Sequence, residues 1–159
     1  MGMLAALPAW AQTPGEGPRD LPTDPEEILE SCLDHVHAAA DRCAEQIGQM
    51  TERCLGAIAE ALEAGETRKA VHIGRTCLRR VHQNAHQCVG HINRACRRCA
   101  AAMENNGATE EQLARLMAGC EAAKEEVRQA ATRAAEAIRD ALPERPDGPD
   151  DEGGSGTDV

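Results

Sequence analysis

Cys32, Cys43 and Cys54 are spaced by 11 residues, and so are Cys77, Cys88 and Cys99. No other feature of the chain restricts its fold as tightly. Eleven residues make three helical turns plus about 20° of drift, so each trio lines one face of a helix with only slight winding. If the second helix folds back on the first about a turn near Gly65, facing residues have numbers that add to a constant. Cys54 with Cys77, Cys43 with Cys88, and Cys32 with Cys99 all meet that condition. The two remaining cysteines, Cys96 and Cys120, mirror each other about Ala108. Each of the eight cysteines therefore has a partner at its own level.

Geometry permits bonds between those partners. Helix axes about 8 Å apart, with Cα atoms on a radius of about 2.3 Å, bring facing Cα atoms into the roughly 4.4 to 6.8 Å span of a disulfide. Small neighbours such as Ala39, Ala40, Ala44 and Gly74 allow the approach. The expected fold is all-α, an antiparallel up-down-up three-helix bundle over residues 25–142, cross-linked by disulfides. An aliphatic side chain follows four residues after each cysteine of the two trios: Val36, Ile47, Ile58, Val81, Ile92 and Met103. These belong on the same buried faces. The chain has no Phe or Tyr and a single Trp, so its core is thin and gains from covalent support.

Local signals mark the helix ends. Asp24-Pro25-Glu26-Glu27 supplies an N-cap, a proline at the first helical position and acids at the positive end of the dipole. A first helix over 25–64 then ends at Gly65. Thr67 is the expected N-cap of a second helix reaching 104, followed by the turn Asn105-Asn106-Gly107. Thr109 and Gln112 form a capping box for a third helix over 109–142. Its apolar stripe is Leu113, Leu116, Met117, Cys120, Val127, Ala131, Ala134, Ile138 and Leu142, and Pro143 stops it.

The flanks read differently. Residues 1–11 resemble the end of a secretory signal, with Ala9 and Ala11 flanking Trp10 at a cleavage site of A-x-A form, although the basic n-region is missing. Residues 12–24 are an expected flexible lead-in, and 143–159 an expected disordered acidic tail. An even cysteine count behind an export signal points to an oxidising compartment, periplasmic or secreted. No run of apolar residues is long enough to span a membrane.

Charge is divided between helices. Pro25 to Glu66 carries ten acidic residues and two basic ones, while Thr67 to Met103 carries eight Lys or Arg and no acid. The expected consequence is that opposite charge helps the first two helices choose each other. That neutralisation, together with the lack of stacking aromatics, speaks against nucleic acid as a partner. Candidate partners are a second copy of the chain, through any uncovered part of the third helix, or another protein.

Two clusters suit metal. Cys32-x-x-His35 and Cys96-x-x-Cys99 lie at matching levels, with Cys120 near them, and such an S and N donor set fits tetrahedral zinc or Cu(I). His82 and His86 lie one turn apart, with His37 as a third candidate, although exposed histidines on a polar face are the plainer reading. Ala95-Cys96-Arg97-Arg98-Cys99-Ala100, with His91 upstream, is similar to a fragment of the cysteine-rich four-helix copper-storage proteins. That resemblance implies Cu(I) held by thiolates inside a bundle. Those proteins line the bundle with C-x-x-x-C pairs, and this chain has none.

The catalytic inventory is poor. Ser31 and Ser155 are the only serines and neither sits in a strand-turn-helix elbow, and phosphate-binding glycine loops are absent. The sequence therefore leads to an exported, non-enzymatic, disulfide-stapled bundle with a structural or interaction role and no cofactor. The alternative is a zinc- or copper-sequestering protein.

Overall fold

A computed structural model describes residues 23–143. It contains three helices, α1 (Pro25–Glu63), α2 (Thr67–Asn105) and α3 (Glu110–Asp140), with no strand among the described residues. The expected signal remnant, most of the lead-in and nearly all of the acidic tail lie outside the described residues. Each helix packs on the other two, and α1 and α3 run parallel, with α2 antiparallel to both.

Capping chemistry sets the ends. The Asp24 carboxylate accepts from the Glu26 N–H at 2.9 Å, and Thr109 and Gln112 complete a reciprocal capping box. Both interhelical turns are Schellman motifs built on a left-handed glycine. Gly65 (φ 73°) donates to the Leu62 carbonyl, while Glu66 donates to Ala61. Gly107 (φ 78°) donates to Glu104, and Ala108 to Met103.

The first of these turns moves the start of α2. Its N-cap is Glu66, with no side-chain capping bond, rather than Thr67. The Glu66 N–H is already committed to Ala61, so a single residue closes one helix and opens the next, and Thr67 falls inside the first turn of α2. At the other end, α3 stops at Asp140 and Leu142 turns back, donating to the Arg139 carbonyl.

The core is built from the residues one turn after the cysteines. Val36, Ile47, Ile58, Val81, Ile92 and Met103 are all at most 1% exposed. A four-residue step rotates a side chain about 40° round the helix, which turns these six from the α1–α2 seam toward α3. From α3, Leu116, Cys120, Val127 and Ile138 meet them, fully buried. Alanines fill the narrow spaces: Ala40, Ala70, Ala123 and Ala135 are buried with them.

Two glycines mark the closest helix approaches. A Cβ on Gly119 would overlap Leu33 Cδ2 of α1, and one on Gly74 would lie 2.7 and 2.8 Å from the two methyls of Leu142. Gly74 thus receives the end of α3, whereas the sequence had suggested a spacer between α1 and α2. Met117 departs from the expected stripe, being 49% exposed. It lies about 60° round from Cys120, on the side away from Gly119, where α2 has already been passed and α1 does not reach.

Candidate functional site

Four disulfides join the pairs that share a level in the mirror fold: Cys32–Cys99, Cys43–Cys88 and Cys54–Cys77 between α1 and α2, and Cys96–Cys120 between α2 and α3. Their Cα separations are 6.1, 6.1, 6.1 and 6.3 Å, inside the range a bond requires. No described cysteine is free. Steps of eleven residues place successive α1–α2 bridges about 16.5 Å apart along the hairpin. Cys32, Cys43 and Cys99 are half-buried at the edge of the core, whereas Cys54, Cys77, Cys88, Cys96 and Cys120 are buried within it.

The outer end of the hairpin concentrates the chemistry. Cys96 and Cys99, one turn apart on α2, send one bond to α3 and one to α1. His35 is half-buried close by, and its imidazole is held below its usual range, first by burial and then by the Arg42 and Arg98 charges. Arg98 acts from α2, so His35 feels charge from both helices of the hairpin.

Cys32, Cys96, Cys99 and Cys120 are consumed by two bonds, so beside His35 there is no thiolate donor. His82, His86 and His37 are all exposed. No group of three or more His, Cys, Asp or Glu converges among the described residues. The spacing of these residues did find neighbours, but the neighbours bonded to one another.

The charged surface also departs from expectation. Among the described residues no Lys or Arg of α2 lies within ion-pair distance of a carboxylate on α1 or α3. Lys69 bonds Glu66 at 2.6 Å, three residues away, and Arg128 and Lys124 reach Glu125 and Glu121 on their own helix. Among the described residues, the salt bridge between helices is Arg115–Glu26, 2.7 Å, beside a 3.0 Å bond from Gln112 to the same carboxylate. It clasps the N-terminal ends of α3 and α1. Both donors hold the Glu26 carboxyl below its ordinary value, the Gln112 bond most strongly. The Lys and Arg residues of α2 all lie at exposed positions.

Some buried polar groups had no sequence signal beyond polarity at a core-facing angle. Thr51 returns its hydroxyl to the Ile47 carbonyl at 2.7 Å, and Lys124 is buried along its stem while its ammonium reaches Glu121. A groove of about 270 Å³ runs between α1 and α3, floored by Ala44, Ile47, Gly48, Thr51, Ala130 and Ala134, with Glu52 and Arg133 at its rim. Small side chains leave this space, and they bring no cluster of reactive groups to it. Ser31 lies exposed on α1.

No helix among the described residues is long and apolar enough to cross a membrane. No protein-family model matches the chain. No curated protein matches it, and no solved structure does.

Proposed function

We propose that the chain is an exported, non-enzymatic scaffold whose disulfides hold a three-helix bundle rigid so that its outward faces can serve a structural or interaction role. The observation that carries this reading is the use of all eight cysteines in bonds between helices. Such bonds persist in oxidising, extracytoplasmic surroundings. They strengthen a core that lacks aromatic residues, and they leave α2 anchored to both neighbours.

The protein is tested as purified from an oxidising compartment without chelator or reductant, by counting free thiols and bound metal per chain. Eight protected thiols, no stoichiometric metal, and a peptide map linking Cys54 to Cys77 support the scaffold. Zinc or copper bound stoichiometrically, with four or five thiols released by chelator, would replace it with sequestration by Cys32, His35, Cys96, Cys99 and Cys120.

A further inference from the structure

The outward face of α2 carries a continuous basic ridge. On a helix of about 100° per residue, Arg68, His72, Arg75, Arg79, His82 and His86 lie within roughly 80° of one another. All six are exposed, and among the described residues none is within ion-pair distance of a carboxylate. Along the 39 residues of α2 the one acid is Glu104, at the far end. Its first turn holds no acid either, so the positive end of the helix dipole adds to the ridge.

Position round the helix says what lies beside the ridge. Starting from Cys77, which is bonded to α1, Gly74 follows at about 60° and the ridge is centred at about 180°. Gly74 is the residue against which Leu142 packs. The order round α2 is therefore α1, the end of α3, then the Arg and His ridge. Leu142 delivers the chain to the flank of that ridge two residues before Glu144. From Pro143 to Val159 the sequence holds Glu144, Asp147, Asp150, Asp151, Glu152 and Asp158 against one base, Arg145.

We propose that the basic ridge of α2 is a docking surface for an acidic polypeptide, and that its occupant is the chain's own segment 144–158. Length suffices. About fifteen residues extend to roughly 50 Å, whereas Arg68 to Arg79 spans about 16 Å of helix. Tethering through a short linker gives an effective concentration in the millimolar range, so individually weak exposed pairs are enough to hold the segment. An acidic partner from outside then reaches the ridge only by displacing this segment. The proposal concerns surface charge and does not depend on where the protein resides.

The test uses the full chain. Two-dimensional NMR of the backbone and arginine Nε–H groups is compared between the native protein and a variant with Glu144→Gln, Asp147→Asn, Asp150→Asn, Asp151→Asn, Glu152→Gln and Asp158→Asn. The expected result is a set of shift changes confined to Arg68, Arg75, Arg79 and their neighbours. High salt should abolish these differences, because the pairs are screened. In a second variant, Arg75→Gln with Arg79→Gln, the tail neutralisation should produce at most a small fraction of the original shifts, with the melting temperature of the bundle little changed. Identical spectra for native and neutralised tails overturn the proposal, as do changes located in the α1–α3 groove or changes that survive high salt.

Discussion

Removing the middle bridge, with Cys43→Ala and Cys88→Ala together, isolates what one staple contributes. The double variant avoids leaving a lone thiol able to attack a neighbouring bond. With the bridges on either side intact, Cys43–Cys88 divides a long covalent ring into two of about two dozen residues each. The chain-entropy relation then gives about 3.5 kcal/mol lost from stability. Cys88 is only 6% exposed, so truncating the sulfur adds a small cavity cost, about 1 kcal/mol. Unfolding entropy near 2.1 cal/mol/K per residue over a bundle of this size is about 0.25 kcal/mol/K. The melting temperature should therefore fall by about 18 °C, followed by circular dichroism or calorimetry without reductant, with mass spectrometry verifying the other three bonds. Helix content at low temperature should be unchanged, because caps and packing are left in place. A fall of less than about 5 °C would refute the entropic account of the ladder, and loss of helicity would show that the bond creates the fold rather than stiffening it. Complete reduction is the limiting case. Four such contributions total about 14 kcal/mol, comparable with the whole stability of a domain this size, so the reduced chain should melt near or below ambient temperature.

Smaller perturbations probe individual contacts. Gly56 has open space at its Cβ, so Gly56→Ala should stabilise by about 1 kcal/mol through helix propensity. Gly74→Ala should gain visibly less in the same melting assay, since Leu142 must give way, and equal gains would show that the end of α3 is not seated there. Thr109→Ala removes the capping box and should cost about 1 kcal/mol in denaturant titration. His35 has a folded pKa below its ordinary 6.5, so the unfolded chain takes up its proton first on acidification. Its effect on stability is absent above that value and becomes a growing loss as pH falls from 6.5 toward the folded pKa. His35→Gln should flatten that part of the melting temperature against pH curve, and an unaltered slope would show that burial and the Arg42 and Arg98 charges do not act on the ring.

Much of this architecture is local and therefore legible in order along the chain. Asp24-Pro25, Thr109 with Gln112, and the glycines at 65 and 107 fix helix ends through bonds to residues a few places away. The staples are legible for a related reason. In an antiparallel hairpin, one turn position determines which residues share a level, so equal spacing on both arms identifies all three α1–α2 bonds together. Spacing alone stops at the next step, because proximity does not distinguish thiolate ligands from the sulfurs that bond each other in this structure.

Placement of α3 was decided by tertiary structure. It runs parallel to α1, so facing residues differ by a fixed offset that depends on both turns at once. Gln112 and Glu26 stand 86 residues apart, and Gly119 and Leu33 share that offset. Nothing in either helix alone announces it. The same docking left Met117 half in solvent, buried the stem of Lys124, and sealed the six aliphatic residues together with Cys120. Periodicity states which side chains share a face of one rod, but the angle at which a third rod meets the other two comes from how their volumes fit.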